Sequence, residues 1–446
     1  MSPDPARRLA FDALRIVNGE GGYANLVLGQ LLARRRLNPR DAAFATELFS
    51  GTCRLQGTYD RIVESASGRP LNSLQPAVLD LLRLGAHQVL AMRMPQRAAV
   101  AATVDLARST VGQRVTGLVN AVLRRVGTHA LSAWIEQLAA GNPAERLGIL
   151  THHPQWIADA YHDLLGEEAT EALLANNLPP QPCLVVRPGL AEVAELGGEP
   201  TRLSPFGALA SGNPADVAAV REGRAGVQDE GSQLVAWALS RVEAPDGPWL
   251  DLCAGPGGKS ALLAGLARDC GEWLLANEVQ LHRAGLVSKA LASYPAGQDS
   301  SPVVVAADGT RPAWRPGSFA RVLADVPCTG LGALRRRPES RWRRDPADVE
   351  QLHPLQAGLL RAAIESAMPG GVVAYVTCSP HRRETADVVE EVLASTPGVH
   401  PLPAGDYLPE VPDCRLGDAV QLWPHRHSTD AMYLALLRVD ARSAGP

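Results

Sequence analysis

Residues 249–260 read W-L-D-L-C-A-G-P-G-G-K-S, and this stretch decides the fold. Trp249 to Cys253 has the length and apolarity of a short buried strand. Cys253, Ala254, Gly255, Pro256, Gly257 and Gly258 make a turn in which backbone can approach a ligand closely. Lys259 to Leu266 continues as a helix whose N-terminus faces the turn. Free N–H groups and the positive dipole end attract a carboxylate or phosphate there. A unit of this kind is a nucleotide-type cradle at the carboxyl edge of an α/β sheet. A P-loop is excluded by spacing: Gly258-Lys259-Ser260 matches the end of its pattern, but its first glycine would fall on Cys253.

Working outward, the chain alternates strand and helix. A helix over 230–240 precedes the turn. Strands are predicted at 273–277, 302–306, 321–325 and 372–377, with helices at about 281–292 and 347–367. Such βα units in series predict a parallel sheet with helices on both faces. Glu278, Asp308, Asp325 and Cys378 all fall at carboxyl strand ends, so they converge on one rim. Glu278 follows Gly258 by 20 residues, where a carboxylate accepts both hydroxyls of a ribose. Asp308 is placed to meet an adenine or an amino group. The absence of G-x-G-x-x-G argues against a nicotinamide dinucleotide. S-adenosyl-L-methionine remains, its carboxylate at the helix N-terminus and its sulfonium beside the acidic rim.

Two further segments carry thiols. Asp325-Val326-Pro327-Cys328-Thr329-Gly330 follows the fourth strand, and Thr377-Cys378-Ser379-Pro380 the fifth, with Glu384 starting the next helix. Two cysteines beside a carboxylate suit chemistry on an electron-poor ring. Cytosine C5 is too weak a nucleophile to take a methyl group directly, but thiolate addition at C6 makes it enamine-like. A carboxylate on the N3/N4 edge stabilises the charge that develops. A base must then remove the C5 proton before the thiolate leaves. Both cysteines sit at strand ends, and either could reach the ring.

D-L-C-A-G-P-G-G-K, D-V-P-C-T-G and T-C-S-P together resemble the RNA cytosine-C5 methyltransferase family over about residues 226–440. The resemblance implies a Rossmann-like methyltransferase domain. It implies that Cys378 is the attacking nucleophile, that Cys328 assists product release, and that Asp325 touches cofactor and target base. It further implies that Cys253–Lys259, Glu278 and Asp308 bind the cofactor. Gly255 and Val326 stand where the family commonly has alanine. Glu278 replaces the commoner aspartate, which keeps the carboxylate but lengthens its reach.

The first 130 residues differ in kind. Apolar residues recur at helical spacing near 6–17, 25–36, 39–49, 76–91, 98–109 and 115–126, and no strand-like alternation is present. This predicts an all-α bundle. Residues 1–130 hold 17 arginines and no lysine against 9 acidic residues; the remainder holds 26 basic and 38 acidic. A basic domain joined to an acidic one points to an anionic partner, most simply nucleic acid. R-R-L-A-F-D-A-L, D-A-A-F-A-T-E-L-F-S-G, T-Y-D-R-I and V-T-G-L-V-N-A-V-L-R-R-V resemble the NusB-like RNA-binding domain over residues 5–127. With that domain in front, the whole chain resembles the bacterial RsmB-type 16S rRNA methyltransferases.

The predicted organisation is therefore an all-α RNA-binding domain (1–130), a connector with a small α/β module (131–225) and a Rossmann-like methyltransferase domain (226–446). In the connector, helices are expected near 132–139, 155–164 and 167–176, with a strand at 183–187. Arg335, Arg336, Arg337, Arg341, Arg343 and Arg344, with Trp342 among them, suit phosphate contacts and base stacking. His427 and Asp430 are read as substrate contacts on a return strand.

Hydrophobic residues make up 46% of the chain, enough for each domain to bury a core. No apolar run reaches membrane-spanning length, and no secretory signal is evident. The seven cysteines include no C-x-x-C pair, so neither a metal site nor a disulfide framework is expected. A cytoplasmic monomer is the expectation. Two other functions stay open: a tRNA cytosine-C5 methyltransferase, and an RNA-binding assembly or antitermination factor with an inactive enzyme fold.

Overall fold

A computed structural model describes residues 4–441 except 93 and 298. The chain forms two compact units: residues up to Leu178 with Leu334–Arg344, and Pro179–Ala333 with the chain from Asp345 onward. Residues 131–225 are thus divided between them.

The first unit is all helix among its described residues: Pro5–Glu20, Ala24–Arg35, Pro39–Arg54, Gln56–Ser67, Pro76–Leu90, Gln96–Thr110, Thr116–Val126, Leu131–Gly141, Arg146–Thr151, Gln155–Leu165 and Ala169–Ala175. Asp4 starts the first helix: its side chain accepts from Ala6 N and Arg7 N, and Pro5 takes a position that needs no N–H donor. Leu9, Leu14, Leu48, Phe49, Ile62, Leu81 and Leu123 fill the core. Inside it, Arg83 donates to both oxygens of Asp60 at 2.6 and 2.7 Å and to Asp80 at 3.0 Å. Buried charge is tolerated there because each group is paired. Helix Gln56–Ser67 was not among the helices expected from apolar spacing.

The segment 334–344 corrects the reading of its arginines. Arg341 is fully buried; it donates to Asn177 Oδ1 at 2.6 Å and to the carbonyls of His152 and Asn176 at 3.2 Å. Burial pulls its pKa down to about 9. Arg343 donates to the carbonyls of Val17, Gly21 and Gly22, which lie where the first helix ends. Trp342 Nε1 donates to Cys53 O at 2.8 Å, and its ring lies where any side chain at Gly57 would stand, 2.3 Å from a Cβ there. Glu339 accepts from Ala24 N at 3.0 Å, giving the second helix an acceptor that Tyr23 does not provide. Arg341, Trp342 and Arg343 therefore hold the helical unit together rather than waiting for phosphate or a base.

The second unit begins with a four-stranded antiparallel sheet in the order Glu199–Pro200, Gly207–Leu209, Cys183–Val186, Ala225–Val227. Its main sheet has, among the described residues, nine strands: β1 (Trp249–Asp251), β2 (Leu274–Asn277), β3 (Val303–Val305), β4 (Phe319–Asp325), β5 (Ala367–Thr377), β6 (Val399–Leu402), β7 (Arg415–Leu416), β8 (Ala419–Gln421) and β9 (Tyr433–Val439). Their order is β7-β8-β9-β5-β4-β1-β2-β3, with β6 on β9. The first five strands pair in parallel, as the alternating pattern predicts. The antiparallel strands β6 to β9 extend the sheet beyond that prediction.

Side chains alternate between two faces, as strand geometry requires. Trp249, Leu323, Ala374 and Leu434 pack with helices Glu230–Arg241 and Gly258–Asp269. Leu250, Val322, Tyr375 and Leu437 pack with Pro346–Ser366 and Ala386–Ser395. The sheet is covered on both faces, and the carboxyl ends of its parallel strands carry the candidate site.

Candidate functional site

Register brings the rim together. Asp251 lies beside Leu323 and Ala276, and Asp325 beside Val376, so the loops after β1, β2, β4 and β5 leave the sheet at one level.

After β1, Ala254 N donates to Asn277 O and Gly257 N to Ala254 O, which folds the turn back toward β2. Gly257 has φ 108°, and a Cβ there would lie 2.7 Å from Ala290 Cβ and 3.0 Å from Val287 Cα. Only glycine fits that conformation and that space. Helix Gly258–Asp269 begins without a side-chain cap, so its first-turn N–H groups face the turn. Asn277 ties three strand ends: it donates to Leu252 O at 3.0 Å and accepts from Ala307 N at 3.1 Å.

Glu278 is buried at the end of β2. Its oxygens accept from Gly255 N at 3.1 Å and Gln280 N at 3.0 Å. Arg283, which the sequence reading did not single out, stands 3.6 Å from Glu278 and donates to Gly255 O at 2.5 Å. Asp308 is different: it is exposed, and its carboxylate accepts from Thr310 N at 2.9 Å and Thr310 Oγ1 at 2.7 Å. The Thr310 hydroxyl holds its pKa below the usual carboxylate range.

Lys259, expected beside the cofactor, reaches across to Asp325 at 2.8 Å. Burial disfavours its charge, but Asp325, helped by Cys378 and Asp251, outweighs burial and the pKa is raised. Asp251 lies beneath, fully buried and accepting from Ser260 Oγ at 2.7 Å. Burial, reinforced by the charge of Asp325, pushes its pKa up to about 7. A carboxyl whose pKa is higher folded than unfolded stabilises the fold below the unfolded value near 4, and that stability is lost as pH rises through 7. Against Asp251→Asn, which cannot ionise, the wild-type unit should lose about 2–3 kcal/mol between about pH 5 and pH 7.5. Urea unfolding of both chains at the two pH values checks this; parallel behaviour would mean that Asp251 ionises normally.

Cys328 and Cys378 meet with sulfurs 3.4 Å apart. Cys378 has its pKa lowered, chiefly by the hydrogen bond from Cys328 and with help from Lys259; burial and the charge of Asp325 oppose this. Cys328 has its pKa raised by the same bond and by burial. The two shifts are opposite in direction, so Cys378 is the more readily ionised thiol of the pair. Glu384 is fully buried behind them, in contact with the residue that follows each cysteine.

The tail residues are corrected. His427 lies in the short helix Pro424–His427, not on a strand, and is buried. Its Nδ1 accepts from Trp423 N at 2.8 Å, and its Nε2 donates to Pro412 O at 2.8 Å. Both nitrogens serve the fold, so it is not a substrate contact. Asp430 is also buried; its backbone N donates to Asp229 at 3.0 Å, and its charge opposes ionisation of Cys378.

Comparison with known proteins agrees with this architecture. The family model described as 16S rRNA methyltransferase RsmB/F matches residues 238–438, and the NusB family model matches residues 4–128. A Mycobacterium tuberculosis protein, provisionally named a methyltransferase, is 46% identical over 449 residues, covering 98% of this chain and 96% of its own. The ribosomal RNA small subunit methyltransferase B of Pseudomonas putida is 30% identical over 418 residues, covering 90% and 91%. Among solved structures, that of PH0851 superposes with TM-score 0.81 at 22% identity, covering 98% of this chain and 99% of its own. That of NSun6 from Pyrococcus horikoshii with SFG superposes with TM-score 0.52 at 17% identity, covering 64% and 98%. At such identities the structures speak for the fold alone.

Proposed function

Because the chain belongs to the RsmB/F family of 16S rRNA methyltransferases, we propose that it methylates cytosine C5 in 16S rRNA through a covalent cysteine–C6 adduct. The observation that carries this reading is the thiol pair: two sulfurs 3.4 Å apart, one with its pKa lowered and the other with its pKa raised. Addition to C6 needs a thiolate, and proton removal from C5 needs a second group that can take a proton. Cys378 suits the first task. Cys328 suits the second once it has lost its own proton to solvent, since as a thiolate it can take the proton from C5 and become a thiol again.

The residues of the cradle fit S-adenosyl-L-methionine. Glu278, held by two backbone N–H groups, would accept the ribose hydroxyls. The turn Cys253–Gly258 and the uncapped helix after it would receive the carboxylate. Bound there, the cofactor supplies an electrophilic methyl group. Asp308, exposed and turned onto Thr310, would hold the adenine edge only if that hydrogen bond gives way. Lys259, paired with Asp325, would with it hold the N3/N4 edge and the C2 carbonyl oxygen of the target base.

The helical unit would bind the RNA backbone. Arg34, Arg36, Arg40, Arg69, Arg97, Arg114 and Arg124 are exposed on it. Arginines of this kind bind phosphate with strong salt dependence and little sequence preference.

The test is to incubate the full chain with S-adenosyl-L-methionine and either 16S rRNA or tRNA, and to locate the product by bisulfite sequencing. The expected result is 5-methylcytosine at a single 16S position. A methyl group on another atom would overturn the covalent mechanism, and methylation of tRNA alone would favour the tRNA enzyme instead.

A further inference from the structure

Glu384 lies at the start of the segment after β5, outside the motif residues to which the chemistry has been assigned. It accepts from Thr329 N at 2.8 Å and Gln356 Nε2 at 3.1 Å on one oxygen. On the other it accepts from Ser379 Oγ at 2.6 Å and from Thr329 Oγ1. Thr329 directly follows Cys328, and Ser379 directly follows Cys378. One carboxylate thus grips both thiol loops, each at the residue next to its sulfur. Gln356 reinforces the grip by donating also to Pro327 O at 2.9 Å, on the other side of Cys328.

The strands alone do not fix the separation of the sulfurs. Pairing of β4 with β5 ends at Asp325 and Val376, before either cysteine. Beyond it, Val326 N donates to Val376 O and Gly332 N to Cys378 O, one bond on either side of Cys328. Glu384 fills that interval. A fully buried carboxylate with four donors is an expensive arrangement unless every donor is supplied, so its geometry is rigid.

We propose that Glu384 is the positioning residue of the thiol pair: by binding Thr329 and Ser379 together it holds the Cys328 thiol on the Cys378 sulfur. Fully buried, it acts through Thr329 and Ser379 rather than on the reacting atoms. The inference rests on the reading of Cys378 as nucleophile, but the measurement that decides it concerns the thiol itself and needs no RNA.

The experiment measures alkylation of Cys378 by iodoacetamide in the full chain, from about pH 6 to pH 10, with the modified peptide quantified by mass spectrometry. Glu384→Gln offers one acceptor oxygen where two were needed and sets amide hydrogens against donors. It should raise the alkylation midpoint to that of Cys328→Ala, which lacks the donating thiol altogether. Binding of S-adenosyl-L-methionine should stay within about twofold, and turnover should fall about 100-fold with little change in KM for RNA, the signature of a displaced reacting group. Ser379→Ala removes one of the four donors with little disturbance to folding and should give an intermediate midpoint. A wild-type midpoint in both Glu384→Gln and Ser379→Ala would overturn the proposal. Methylation at an atom other than C5 would instead overturn the proposed chemistry and leave the alkylation result standing, so the two failures are distinguishable.

Discussion

Cys378→Ala should abolish both methylation and any covalent complex with RNA, whereas Cys328→Ala should trap that complex. In the proposed reaction the Cys378 thiolate forms a bond to C6, and the displaced electrons make C5 nucleophilic. Once C5 is methylated, its proton must leave so that the ring electrons can expel the thiolate. Without Cys378 the first bond cannot form, and turnover should fall roughly 10⁴-fold or more. Without Cys328 addition and methylation still proceed, but elimination loses its proton acceptor, a loss of about 10²–10⁴ in rate. The geometry adds a refinement. The sulfurs of Cys328 and Cys378 lie 3.4 Å apart, and the hydrogen bond between them lowers the pKa of Cys378. Adduct formation in Cys328→Ala should therefore need a higher pH than methylation by the wild type, although the adduct, once formed, persists. A denaturing gel of protein with labelled RNA and S-adenosyl-L-methionine shows both outcomes. An adduct that accumulates in Cys378→Ala and not in Cys328→Ala would reverse the two roles.

The second large effect is expected at Gly255. A Cβ there would lie 2.0 Å from Glu278 Oε2 and 2.9 Å from the Arg283 guanidinium, so Gly255→Ala must displace the carboxylate. Glu278 would lose the bond from Gly255 N with it. Affinity for S-adenosyl-L-methionine should fall by about 1.5–3 kcal/mol, as for Glu278→Ala, the scale of a hydrogen bond to a charged group. Aspartate at 278 is shorter by one methylene and leaves the space free. Gly255→Ala combined with Glu278→Asp should therefore bind more tightly than Gly255→Ala alone. Calorimetry on the four chains, with the melting temperature of each ligand-free chain as a folding check, completes the cycle. Strictly additive losses would show that the two positions are independent. Two of the three departures from the family pattern noted in the sequence, Gly255 and Glu278, would then explain each other: the longer carboxylate occupies the volume that an alanine methyl would take.

What was legible beforehand depended on periodicity and on chain order. The strands before Glu278, Asp325 and Cys378 were visible because each is a short apolar run closed by a chemical group. The helices of the first unit were visible where leucine and valine recur on one face, as in Thr116–Val126. Helix Gln56–Ser67 was not, since Gly57, Thr58 and two serines weaken its pattern and its apolar face is only Tyr59, Ile62, Val63 and Ala66. Strands β7 and β8, of two and three residues, are too short to show a period.

By itself the sequence determined the strand–turn–helix cradle, the parallel half of the sheet and the gathering of Glu278, Asp325, Cys328 and Cys378 on one rim. Those follow from local pattern and from the direction in which parallel strands run. The tertiary structure alone decided which partner each polar group takes. It set Lys259 on Asp325, turned Asp308 onto Thr310, and engaged His427, Arg341 and Arg343 with backbone carbonyls. It also put a single carboxylate, Glu384, behind both thiols. The physical reason is that apolar burial obeys a period written along the chain, whereas a hydrogen-bonding group is satisfied by whichever donor or acceptor the fold brings within 3 Å or so, often from hundreds of residues away.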